Sequence, residues 1–296
     1  MNQRGENVFH RACYNDKNRN TDVLKYLIKH CSDLDINARD NNGRTVAHIV
    51  TDNGCKETLD YLIKLGNVDF ETPDQWGFTP LHFACRQPYN NYRNTKMLLK
   101  HIQPDVNVQT MHGWTALHLA CRNATKATVD LLLKYNANIQ LRDNNGRTPF
   151  HFAALNDNQE LIKYLFEKYP DMVNLQRNDG KTFLHVVCEE NLAKTLRFLI
   201  DSDFCSLLDF NVITNDGLTP LESATKNGHV EVVKFILENS TKLKITVNSS
   251  AFLSTLAQGN GHQNVVEAIE FWKLENQIAA VGRKLRSTRN QTLKSK

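Results

Sequence analysis

The chain has 296 residues, 41% of them hydrophobic and 23% charged, ordinary proportions for a soluble, folded protein. No apolar run is long enough to span a bilayer, and the opening MNQRGENVFHRAC lacks the apolar core of a signal peptide. The formal charge of +4 is concentrated at one end, where residues 273–296 carry seven Lys/Arg against one acid. The rest is near neutral and argues against a nucleic-acid-binding surface.

The predicted elements follow a period. A degenerate copy, Gly5-Glu-Asn-Val-Phe-His10, opens the chain. Gly43-Arg-Thr-Val-Ala-His48, Gly77-Phe-Thr-Pro-Leu-His82, Gly113-Trp-Thr-Ala-Leu-His118, Gly146-Arg-Thr-Pro-Phe-His151, Gly180-Lys-Thr-Phe-Leu-His185 and Gly217-Leu-Thr-Pro-Leu-Glu222 come next. An eighth copy, near Phe252, is marked by Gly261-His-Gln-Asn-Val-Val266. Successive glycines from Gly5 to Gly217 lie 38, 34, 36, 33, 34 and 37 residues apart, the mark of a repeat architecture. The stretch RDNNGRT occurs at 39–45 and again, unchanged, at 142–148, as expected for a corner used more than once.

Each copy predicts a short helix, a loop, a second helix and an extended turn. Thr79, Thr148 and Thr219 precede Pro, so a hydroxyl caps the free amides and the ring occupies the first helical position. The first helix is short, from Thr115 to about Arg122 in the fourth copy. The second carries apolar clusters such as Val129-Asp-Leu-Leu-Leu133 and Val232-Val-Lys-Phe-Ile-Leu237. Asp-x-x-Gly then supplies a turn former and a residue tolerant of positive φ. Segments 86–95 and 201–208 are predicted loop insertions.

These residues resemble the ankyrin repeat, whose signature pairs Gly-x-Thr-Pro-Leu-His with a later Gly-His-x-Glu-Val-Val, here Gly228-His-Val-Glu-Val-Val233. The resemblance covers about residues 5–272. It implies an all-α solenoid of about eight helix-turn-helix repeats with β-hairpin fingers, starting near 5, 43, 77, 113, 146, 180, 217 and 250. The irregular outer copies suit capping positions. Residues 273–296 are expected to form a basic, disordered tail in which Arg283-Lys-Leu-Arg286 is a candidate address for the nucleus, an acidic membrane or nucleic acid.

Four copies contain His-x-x-Cys: His10/Cys13, His82/Cys85, His118/Cys121 and His185/Cys188. The spacing puts both side chains on one helical face, as some metal sites do. Their shared repeat slot favours packing instead, since Cys behaves there as a small hydrophobe. Seven cysteines without tight pairing suit a reducing, cytoplasmic or nuclear compartment. Phosphate-loop, nucleophile-elbow and His-Glu-x-x-His motifs are absent, so no enzyme, metal or cofactor is predicted, and no small-molecule substrate.

In the resembled family the positions flanking the corner glycine, and those after the first helix, carry partner contacts. Here they supply Trp76, Phe78 and Arg86, then Met111, His112, Trp114 and Arg122, with Tyr89 and Tyr92 in the inserted loop. Trp, Tyr and Arg dominate interface energetics, so these are the candidate partner-binding residues. The family also implies possible asparaginyl hydroxylation at Asn107, eight residues after Leu99 and preceded by Asp105-Val106. The expected function is a non-enzymatic scaffold or adaptor that binds a protein. The alternatives are an inhibitor masking a transcription-factor-like partner, or an effector of an intracellular bacterium or virus. The 33 asparagines hint at an AT-rich genome and lean toward a microbe, virus or invertebrate.

Overall fold

The computed structural model describes residues 1–14, 20–31, 33–86, 91–123, 125–246 and 250–294. Among them lie sixteen α-helices, in eight pairs at the predicted period. The chain divides into two compact units, Met1–Lys168 and Tyr169–Lys296.

The first unit holds five pairs: α1 (Val8–Tyr14) and α2 (Asn20–His30), α3 (Val46–Asn53) and α4 (Lys56–Leu65), α5 (Pro80–Arg86) and α6 (Asn91–His101), α7 (Ala116–Asn123) and α8 (Lys126–Lys134), α9 (Pro149–Ala154) and α10 (Gln159–Lys168). First members pack on first members and second members on second, giving two helical layers. The second unit repeats the scheme with α11 (Phe183–Glu189) and α12 (Ala193–Asp201), α13 (Pro220–Lys226) and α14 (Val230–Glu238), α15 (Ser250–Gly259) and α16 (Gln263–Lys294). Within the predicted insertions, Asp203–Leu207 forms a 3₁₀ turn and α6 begins at Asn91.

Position in the stack explains the two kinds of helix. A first helix has neighbours on both sides and a second helix behind it, so Ala116 through Cys121 are all buried. A second helix buries only a stripe, such as Thr128, Val129 and Leu132 of α8, and leaves its other face to solvent.

Buried histidines tie the starts of α3, α5, α7 and α11 to the next repeat. Thr115 N–H donates to His118 Nδ1 at 3.1 Å, a capping box with imidazole in place of the usual Glu. His118 Nε2–H donates to the Arg147 carbonyl of the next repeat at 3.0 Å. His48 reaches the Phe78 carbonyl (2.9 Å) and His82 the Trp114 carbonyl (3.1 Å) in the same way. In the second unit His185 reaches the Leu218 carbonyl at 3.1 Å. Only a neutral ring, protonated on Nε2, can accept at one nitrogen and donate at the other. Burial pushes His82 and His118 down to about 4, which keeps them neutral.

The fingers are turns. No strand occurs among the described residues, which corrects the expected β-hairpins. Asp74 N–H donates to the Phe78 carbonyl at 2.8 Å and Gly77 N–H to the Asp74 carbonyl at 3.0 Å, closing one turn. A single bond, Met111 N–H to the Trp76 carbonyl at 2.9 Å, joins that finger to the next. One such bond per neighbour is too few for a ladder. Gly113 shows why the corner demands glycine: its φ is +78°, and a Cβ there would lie 2.8 Å from the Asn144 amide nitrogen.

The segment expected to be a disordered tail runs on as helix: α16 continues to Lys294.

Candidate interaction surface

The finger around Gly77 shows how the backbone aims its side chains. Asp74 Oδ1 accepts from Trp76 N–H and Phe78 N–H, both at 2.9 Å. The residue after the glycine is held twice, by that bond and by the histidine of the preceding repeat on its carbonyl. Its side chain therefore lies along the stack. The two residues before the glycine sit at the tip and face solvent. The pattern holds through the first unit: Asn41, Asn42, Gln75, Trp76, Met111, His112, Asn144 and Asn145 are exposed, whereas Arg44, Phe78, Trp114 and Arg147 are half-buried.

The candidate residues sort accordingly. Trp76 is 39% exposed and Met111 66%, on adjacent fingers joined by their backbones. His112 and Arg122 are also exposed. Trp114 is a strut within the stack. Its indole N–H donates to Asp143 Oδ2 at 3.1 Å, and its ring meets Phe152 and Phe78 edge-on at 5.9 and 6.3 Å. Phe78 packs beside Phe83 with centroids 5.8 Å apart. Arg86 is committed to Asp52 at 2.9 Å and to the face of Phe83. Tyr92 stands on α6, in the second-helix layer, beside Lys96 and Lys134. Tyr89 lies outside the described residues.

Arg44 is not among the candidate residues drawn from the sequence. The structure stacks its guanidinium over Trp76 at 6.0 Å and over Phe83 at 5.1 Å. Arg44 fills the same slot as Arg147, which lies over Phe152 at 4.6 Å and also pairs with Asp143 at 2.7 Å. Asp143 Oδ2 receives Trp114 from the finger before it and Arg147 from its own finger. Asp74 has Arg44 and Phe78 in those slots, and its Oδ2 is buried with no hydrogen-bond partner, as is Arg44 Nε. Comparing the residue after each glycine, finger by finger, is the sequence signal that could have found this.

The His-x-x-Cys pairs are absorbed into the fold. In His82 and His118 both ring nitrogens are engaged by capping and finger bonds. Burial pushes the Cys85 thiol up to about 12, and raises Cys121 and Cys188 as well, so these sulfurs stay protonated. Among the described residues no group of three or more His, Cys, Asp or Glu is arranged to hold a metal, and no helix is long and apolar enough to cross a membrane. Asn107 joins neighbouring repeats: its amide donates to the Asn136 carbonyl at 3.2 Å and accepts from Asn138 N–H at 2.8 Å. Asn37 does the same with Asn67 and Asp69.

Comparison with known proteins agrees with this geometry. The sequence profile described as "Ankyrin repeats (3 copies)" matches residues 9–110, 89–174 and 170–249. The human transient receptor potential cation channel subfamily A member 1 is 29% identical over 241 residues, covering 80% of this chain and 21% of the channel. The fowlpox virus ankyrin repeat protein FPV031 is 30% identical over 207 residues, 68% of this chain and 57% of its own length. The probable 26S proteasome regulatory subunit p28 of Saccharomyces cerevisiae is 28% identical, over 68% of this chain and 86% of its own. The chain thus spans about a fifth of the channel and little more than half of the viral protein. The ankyrin repeat domain of Bcl-3 shares the fold, with a TM-score of 0.57 at 23% identity over 73% of this chain and 93% of that one.

Proposed function

The chain belongs to the ankyrin repeat family, and from that premise we propose that it is a non-enzymatic protein-binding module that engages its partner through the finger tips around Trp76 and Met111. The observation that carries this reading is the exposure of two large apolar side chains on adjacent fingers, Trp76 at 39% and Met111 at 66%. Trp is an anchor type at interfaces, and Met adapts to irregular partner surfaces. Both stand on turns already held by hydrogen bonds, so little backbone order remains to be imposed on association. Asn41, Asn42, Asn144 and Asn145 give the apolar centre a polar rim.

Ankyrin repeats generally mediate contacts between proteins, and scaffold or adaptor is the role proposed for this chain. The fowlpox relative favours one variant of the reading, a pathogen protein that engages a host protein through the same face. The 33 asparagines lean the same way.

Affinity capture from cell lysates, comparing wild type with the Trp76→Ala/Met111→Ala double variant, tests the reading. Loss of one anchor and its neighbour lowers the amount of a specific captured protein at least about tenfold, the effect of removing a contact worth about 1.4 kcal/mol or more. The melting temperature stays at its wild-type value. Undiminished capture by a folded double variant overturns the proposal.

A further inference from the structure

The position four residues after each capping histidine forms a row along the ends of the first helices, and in the first unit it reads Asp52, Arg86, Arg122 and Leu155. Neighbours in the row reach one another, since Asp52 and Arg86 pair at 2.9 Å. That pair leaves Arg122 between a committed arginine and a leucine. It is exposed, and among the described residues no carboxylate pairs with it. The row of charges is one acid short.

This row is continuous with the exposed finger tips. Arg44 lies over Trp76 at 6.0 Å and over Phe83 at 5.1 Å, and Arg86 lies over the same Phe83 at 4.7 Å. The cations on this side are also of one kind. Every described lysine of the first unit stands on a second helix, whereas all its described arginines but Arg93 stand on corners or first helices. The corner acids Asp40, Asp74 and Asp143 are buried. Arginine presents a planar fork that takes a carboxylate in two parallel bonds and is more weakly hydrated than lysine, which makes it the better group for an interface ion pair. A nucleic acid gains affinity from many phosphate contacts, and the row supplies a single unpaired cation.

Resting on the finger-tip reading above, we propose that the partner is an acidic and apolar protein segment: a carboxylate of the segment pairs with Arg122 and completes the row, while an apolar neighbour lies against Trp76 and Met111.

Random peptides displayed on phage and selected on the full chain test this. Peptides recovered on wild type carry Asp or Glu beside an apolar or aromatic residue. They lose affinity at least about tenfold on Arg122→Glu, as expected when an ion pair becomes a like-charge contact, and less on Arg122→Gln. Selection on Arg122→Glu instead recovers peptides with Lys or Arg in the acidic position. Circular dichroism shows both variants folded. Peptides that require Trp76 and Met111 but lack acidic residues, or that bind Arg122→Glu as well as wild type, overturn this inference and leave the finger-tip reading standing. Peptides that bind Trp76→Ala/Met111→Ala undiminished overturn that reading and this inference with it, as does failure to recover any peptide. Tighter binding of a mixed-sequence single-stranded DNA, lost on Arg122→Glu, assigns the row to nucleic acid and overturns the inference as well.

Discussion

Acidification from pH 7 to pH 4 weakens the first unit by about 3 kcal/mol for each deeply buried histidine that must take up a proton. The sign follows from the neutral rings. His82 and His118 have ordinary values of 6.5 in the unfolded chain and about 4 in the folded one. Between these limits the unfolded chain binds more protons, so stability is complete above pH 6.5 and is lost as pH falls toward 4. Protonation also removes the acceptor at Nδ1, so the Thr79 and Thr115 N–H groups lose their caps. Urea denaturation at pH 7, 5.5 and 4.5 reads the loss. It begins well above the range in which ordinary carboxylates protonate, which separates the two causes. Stability that stays level from pH 7 to 5 would contradict the histidine ladder.

The two finger tryptophans, Trp76 and Trp114, respond differently to truncation. Trp114→Ala lowers stability by roughly 2 kcal/mol, because it removes a half-buried indole from Phe78 and Phe152 and leaves Asp143 with fewer donors. Trp76→Ala changes stability by less than about 0.5 kcal/mol, as befits a side chain at an exposed tip. Thermal and urea unfolding of the single variants distinguish them. Equal losses would show that both rings are struts and that the exposed tip is not set apart for binding.

This contrast marks where the sequence was legible. Gly-x-Thr does a local job at six corners, so its period predicted the helix pairs, the caps and the sites of positive φ. The fate of each side chain around the corner depends on the neighbouring finger, which lies about 34 residues away in sequence. Trp76 and Trp114 are both next to a glycine, but one precedes it and the other follows it. Only the bonds from the preceding histidine show that the following slot is tied into the stack. Arg44 and Arg147 carry identical local sequence and both lie over a phenylalanine ring, yet Arg147 pairs with Asp143 of its own finger while Arg44 Nε is buried without a hydrogen-bond partner. The continuation of α16 to Lys294 was hidden by the basic composition of the segment, which suggested disorder.

Hydrogen–deuterium exchange of the first unit with and without a captured partner tests the central claim most directly. Partner binding at the exposed tips predicts slowed exchange in the turns 74–78 and 110–114, with the fingers of the second unit unchanged. Protection confined to the second unit, or to the second-helix layer around Tyr92 and Tyr164, would contradict it.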